Sequence, residues 1–281
     1  MRGTGSGRVP VRGGSHLRRG RGVRRASARV SLTRIVATVV LLAAGLAMVR
    51  FSDAAAFTVY EVSIDGADLT DRASVEAAIL ADAGPESVFL YDTGAASDRV
   101  AHLPTVRRAE VRAVLPDRLV VTLEERVPVL LWVTTDSSLA FLVDEDGTLV
   151  AAAPPGGATV PAIHDQRVGT AGLAIGGAIA PVDLRVARQL AAVTPAMLGS
   201  AALALLVSVD DREGFVVSAD PDGWRAVFGL YGEVTRSPDL VGVQVQCLAS
   251  LLAARPTEGV GRIVLSPEGQ LCGTYSAPGD S

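Results

Sequence analysis

The longest apolar run lies near the N-terminus. Ile35 to Val49 (IVATVVLLAAGLAMV) is 15 residues without a charge. As a helix it spans ~22 Å, short of the ~30 Å hydrocarbon core of a bilayer. Extending it over 32–51 gives ~30 Å, with Arg34 and Arg50 at opposite ends, where arginine snorkels to the headgroups. Eight Ile, Val or Leu residues in the run favour insertion by ~2 to 5 kcal/mol. The pattern predicts a transmembrane helix over 32–51.

Beyond it the period changes. Tyr60, Val62 and Ile64 alternate with Glu61, Ser63 and Asp65, which predicts a half-buried strand ended by Gly66. Thr70 or Asp71 can cap a helix through about Ala83, carrying Val75, Ala78 and Ile79 on one face and stopped by Gly84-Pro85. A second helix is predicted from Ala95 to His102, ending before Pro104. Two strands follow. Ala109, Val111 and Ala113 form one inward face, and Leu119, Val121 and Leu123 the other, joined at Pro116-Asp117. The order is β-α-α-β-β in about 70 residues.

Further on, Val129–Val133 and Phe141–Val143 read as strands, and Asp144-Glu145-Asp146-Gly147 as the hairpin turn into Leu149-Val150. The acids of that turn lack the twelve-residue pattern of a calcium loop. AAAPPGGA (151–158) is a flexible connection, and Pro161-Ala162-Ile163 a short strand. Val182–Leu198 is predicted as one helix and Leu240–Ala254 as another. Strands are predicted at Leu203–Val209, Gly214–Ser218, Trp224–Gly229 and Arg262–Leu265. Leu271–Tyr275 either pairs back or extends the sheet. The Glu124-Glu125-Arg126 group reads as a solvated strand end with Arg126 paired to an acid.

Charge divides the chain. Residues 1–34 hold ten Arg and no acid, whereas from Phe51 onward 15 Arg face all 30 Asp and Glu. Residues 1–31, rich in Gly and Ser without an apolar period, read as a disordered Arg-rich cytoplasmic tail. The basic flank keeps the N-terminus in and the acidic body out. No aromatic lies among these Arg to stack on bases, so nucleic acid is not a predicted partner. All 26 basic residues are Arg, so Arg in place of Lys carries little meaning here. Ala54-Ala55-Ala56 offers a rival reading, a signal peptide cleaved to leave Phe57 as the first residue. Charges at Arg50 and Asp53 and the ~34-residue leader favour an uncleaved anchor.

Catalytic chemistry is not indicated. His16 lies in the tail, His102 at a helix end and His164 in a loop region. There is no G-x-S-x-G, H-E-x-x-H or P-loop, and no cofactor, metal or small-molecule substrate is predicted. Cys247 and Cys272 read first as two buried thiols, with a disulfide open if the last helix packs on the last strand.

VYEVSIDGADLTDRASV from Val59, and HLPTVRRAEVRAVLPDRLVVTLEERVPV from His102, resemble the POTRA domain of the FtsQ/DivIB cell-division family. The steps Leu103-Pro104-x-Val106, Leu115-Pro116-x-x-Leu119 and Glu125-Arg126-x-Pro128 carry the resemblance, and LVDxxG (142–147) continues it. The implied fold class is α+β. A single transmembrane helix (32–51) precedes a POTRA domain (57–127), a second β-rich domain of FtsQ type with flanking helices (128–275), and a C-terminal tail (276–281). The resemblance implies a non-enzymatic divisome scaffold in the cell membrane at the division septum. Its partners would be FtsB- and FtsL-like single-pass proteins and other divisome components, and it would help recruit and regulate septal peptidoglycan synthesis. Family partner contacts carry over to Leu265, Ser266 and Tyr275, with Tyr275 as an aromatic anchor and a partner strand added to the last edge. Pro267 departs from the family pattern and removes one edge donor. Two other readings remain: a POTRA-bearing secretion or outer-membrane assembly component, and a secreted binding protein with a cleaved signal.

Overall fold

A computed structural model describes residues 31–52, 57–59, 61–80, 87–135, 139–154, 158–220, 223–232, 234–254, 261–266 and 272–276. The basic tail, Tyr60, Gly84-Pro85, 155–157 and Pro267 lie outside the described residues. The chain divides into two compact units, Met1–Phe51 and Ser52–Ser281.

Helix α1 (Leu32–Ser52) is 21 residues long, with Arg50 in its last turn. It is exposed along its described length, and no acid interrupts it. By length and composition it can cross a membrane.

The second unit contains two sheets. Strands β1 (Glu61–Asp65), β2 (Val106–Val114) and β3 (Arg118–Glu125) form the smaller, in the order β1-β3-β2. β1 runs parallel to β3, with Ile64 opposite Val121, and β2 runs antiparallel to it. Helices α2 (Arg72–Leu80) and α3 (Thr93–Ala101) bury Val75, Ile79, Ala96 and Val100 with Ile64, Leu119 and Val121. Helix α3 starts two residues earlier than its apolar period implies, because the Asp92 carboxylate accepts from the Ala95 N–H at 2.9 Å. The Tyr91 hydroxyl donates to the Ile79 carbonyl at 2.8 Å and Arg99 Nε to the Ala78 carbonyl at 2.8 Å. These bonds satisfy carbonyls that the last turn of α2 leaves without helical partners.

Nine strands form the larger sheet, in the order β12-β11-β10-β9-β8-β7-β4-β5-β6. They are β4 (Pro128–Thr134), β5 (Ala140–Asp144), β6 (Leu149–Ala152), β7 (Ala162–Asp165), β8 (Ala204–Asp210), β9 (Gly214–Asp220), β10 (Arg225–Gly229), β11 (Arg262–Leu265) and β12 (Gly273–Ser276). Parallel pairs β4–β7, β7–β8 and β10–β11 interrupt antiparallel hairpins. Helices α4 (Pro181–Ala191) and α5 (Val241–Ala253) pack on a core that holds Trp132, Ile163, Phe215, Trp224 and Phe228. The single helix predicted over 182–198 is broken. Thr194 is extended ahead of Pro195, which opens a separate 3-10 turn at Pro195–Leu198.

One buried ionic group escaped the sequence reading. Asp165 is fully buried and accepts from Trp132 Nε1 at 3.0 Å and from Arg167 Nη2 at 2.8 Å. Arg167 Nη1 reaches Asp183 at 2.7 Å. Burial opposes the Arg167 charge, but both carboxylates outweigh it and raise its pKa.

The expected solvated end at Glu124–Arg126 is corrected. Arg126 does pair with an acid, but with Asp144 at 2.6 Å, whose side chain is only 3% exposed. The Glu125 carboxylate accepts from the N–H groups of Leu69 at 2.9 Å and Thr70 at 2.6 Å. The 144–147 segment is the predicted hairpin turn. Asp144 Oδ1 accepts from the Asp146 and Thr148 N–H groups at 3.1 and 2.7 Å, and Gly147 adopts φ +90°.

Candidate partner-binding edge

β11 and β12 end one side of the large sheet. RIVL holds three apolar residues in a row, and the structure chooses the face: Ile263 and Leu265 are buried, Val264 is half-buried and Arg262 is exposed. β12 pairs antiparallel with β11, with Tyr275 opposite Ile263, Thr274 opposite Val264 and Gly273 opposite Leu265. Gly273–Ser276 therefore both pairs back and extends the sheet. Among the described residues β12 has a neighbouring strand on one side only, so it is the edge strand of the sheet.

Opposed residues share a face, so Tyr275 and Gly273 lie on the side that buries Ile263 and Leu265. Tyr275 is 42% exposed at the rim of that face. Leu265 is 1% exposed and lies on β11, paired with Gly273 of β12, so it is a core residue of the strand behind the edge. Ser266 is half-buried, and its carbonyl accepts from Gln244 Nε2 at 3.4 Å. Gln244, on α5 and 2% exposed, also donates to the Phe228 carbonyl at 3.1 Å and accepts from the Tyr231 hydroxyl. Burial pushes the Tyr231 phenol pKa up, with the nearby Arg236 charge opposing the shift. Of the three carried-over residues, only Tyr275 is on the edge strand, at its rim; Leu265 in the core belongs to the strand behind it, and Ser266 at a hydrogen-bonded end directly follows that strand.

Two features hold β12 in place. Cys247 on α5 and Cys272, just before β12, form a disulfide with Cα atoms 4.9 Å apart. The reading as two thiols is therefore corrected, because α5 does lie against the end of the sheet. Gly273 has φ +135°, and a Cβ there would stand 2.3 Å from the Val264 carbonyl oxygen. Only glycine fits this approach to β11. For the first, the sequence offered only the condition that the last helix pack on the last strand; nothing in the sequence marked Gln244.

On the opposite side of the sheet, Glu213 joins Arg262 at 2.6 Å and Arg225 at 2.5 Å. Elsewhere His102 Nδ1 lies 2.6 Å from the Asp98 carbonyl oxygen at a helix end, and His164 is half-buried on β7. Among the described residues, no group of three or more His, Cys, Asp or Glu is placed to hold a metal ion.

Among the described residues, the fold and edge define a protein with one candidate span, a small β-α-α-β-β module and a large mixed sheet with a terminal strand. Residues 57–126 match the family model described as POTRA domain, FtsQ-type. Over 143 residues the chain is 30% identical to the cell division protein FtsQ of Mycobacteroides abscessus. The match covers 50% of this chain, which spans 45% of that relative's length. Together these findings support an FtsQ/DivIB family protein.

Proposed function

We propose that the chain is a non-enzymatic scaffold of the cell-division apparatus. Helix α1 anchors it as a single-pass protein, with the Arg-rich tail cytoplasmic and the body outside, at the septum. Residues 57–127 and 128–275 act as two successive domains. The body binds FtsB- and FtsL-like single-pass proteins and helps recruit and regulate septal peptidoglycan synthesis.

The observation that carries this reading is the open edge of β12, beside an exposed Tyr275, in a chain with an FtsQ-type POTRA match. A partner segment adds to β12 as a further strand. Main-chain bonds supply affinity and Tyr275 supplies an aromatic anchor. Leu265 and Ser266 set the edge from behind. The Arg-rich flank and acidic body support the orientation.

The test is capture of the extracytoplasmic segment of an FtsB-like partner by the full chain in detergent. Tyr275→Ala reduces capture about tenfold or more, as loss of an interface anchor does. A fluorescent fusion concentrates at midcell. Unchanged capture by Tyr275→Ala together with uniform envelope fluorescence sinks the proposal.

A further inference from the structure

Arg236 is a half-buried cation without a counter-ion among the described residues. Its Nε and Nη1 are buried, and neither finds a hydrogen-bond partner there. Other half-buried arginines do hold a carboxylate: Arg126 also leaves its Nε without a partner but grips Asp144 through Nη1, and Arg167 holds Asp165 and Asp183. A charged donor kept from water without an acceptor costs free energy, so a fold retains one where something else completes it.

The surroundings hold the guanidinium in place. Its Cζ lies 5.6 Å from the centre of the Tyr231 ring. It packs directly on Gly229, where a Cβ would stand 2.2 Å from Nη1 and 2.8 Å from Cζ. Its own backbone is tied by the Gly232 N–H, which donates to the Arg236 carbonyl at 3.1 Å. Bare glycine backbone, an aromatic face and a closed turn leave the planar fork positioned but unmatched.

The site lies at the end of the sheet that bears the proposed edge. Gly229 ends β10, and the β10–β11 register (Ala226 with Ile263, Val227 with Val264) runs on towards Ser266. Gln244 bonds both Phe228 and Ser266 there. Gly273, the first residue of β12, pairs with Leu265 at this same end. A strand added outside β12 would run about 14 Å from β10, a gap that about four extended residues cross.

We propose that Arg236 is a carboxylate receptor, completed by an acidic residue of the partner segment flanking the part that pairs with β12. The inference rests on the edge-binding reading and specifies the chemistry of the partner. The guanidinium fork matches a carboxylate in plane and in hydrogen-bond number.

The experiment compares the full chain with Arg236→Met in detergent. Each is melted in sodium chloride, sodium acetate and sodium phosphate at matched ionic strength. In chloride the variant melts about 2–4 °C higher than wild type, because an uncompensated charge is gone. Acetate raises the wild-type melting temperature relative to chloride and leaves the variant unmoved. Capture of the partner segment used for the edge test falls about tenfold in Arg236→Met. A lower melting temperature for the variant overturns the inference, as it would if the chain's own carboxylate already paired with Arg236. An equal response of both proteins to acetate overturns it, and a larger wild-type response to phosphate removes the carboxylate assignment. If Tyr275→Ala loses capture while Arg236→Met keeps it, the receptor fails and the edge stands. If neither variant loses capture, the edge itself fails, while the acetate comparison still decides whether Arg236 binds a carboxylate.

Discussion

Glu125 ends β3 and turns its carboxylate onto the N–H groups of Leu69 and Thr70, in the loop that leads into α2. Burial alone would raise its pKa, but the bonds from the Thr70 side chain and from the Leu69 and Thr70 backbones outweigh burial and lower it. A depressed carboxyl contributes stability above its unfolded-state value of about 4.3, and loses it as pH falls through the folded value. Glu125→Gln is expected to cost about 1–2 kcal/mol at pH 7. Urea unfolding should show the gap from wild type at pH 7 and its closure below about pH 4. A gap of the same size at pH 3 contradicts the account. The same residue shows what a sequence conceals. Glu124-Glu125-Arg126 looks like one charged cluster, yet Glu125 caps a loop of its own sheet while Arg126 reaches Asp144 at the end of β5.

At the scale of an element, β12 is four residues long and holds its place through a disulfide before it and a glycine at its start. The disulfide spans a sequence separation of 25, for which the chain-entropy model assigns about 3 kcal/mol. Cys247→Ser should therefore lower unfolding free energy by up to about 3 kcal/mol in denaturant titration. Gly273→Ala tests the strand more locally. A Cβ cannot be placed 2.3 Å from the Val264 oxygen, so β12 must leave β11. Partner capture should fall with that variant while the large core, which β12 only borders, keeps most of its stability. Retained capture would show that the edge is not the docking strand. The α4 region shows the limit of periodicity as a guide: an apolar stripe runs from 182 to 198, but the dihedral restriction before Pro195 stops the helix at Ala191.

Over the whole second unit, Arg126–Asp144 and Arg107–Glu145, at 2.6 and 2.7 Å, connect the β2–β3 sheet to the turn after β5. The second pair is about half exposed on both sides and contributes little. The first is mostly buried, so Arg126→Met strands the Asp144 carboxylate, at a cost of about 3–5 kcal/mol. Differential scanning calorimetry should then resolve two transitions where the wild type shows one. A single transition shifted as a block would mean that the two sheets are coupled by other contacts.

Local chemistry was enough to reach a good part of this molecule. An uncharged run of helical length, period-two strands between turn residues and the charge step at the start of the body depend on near neighbours, and most described elements stand within a few residues of their predicted places, the helix over 182–198 being the exception. The three candidate edge residues came from resemblance, and period two already put Ile263 and Leu265 on one face. Pairing between distant segments is another matter. That Asp165 meets Trp132 and Arg167, that Cys247 bonds Cys272, that Gln244 serves both Phe228 and Ser266, and that Arg236 lies over Gly229 all follow from the strand order β12-β11-β10-β9-β8-β7-β4-β5-β6. Periodicity selects which face of an element is buried. Which other element meets that face is chosen by packing and by the need to satisfy buried polar groups, and both act across tens of residues of chain.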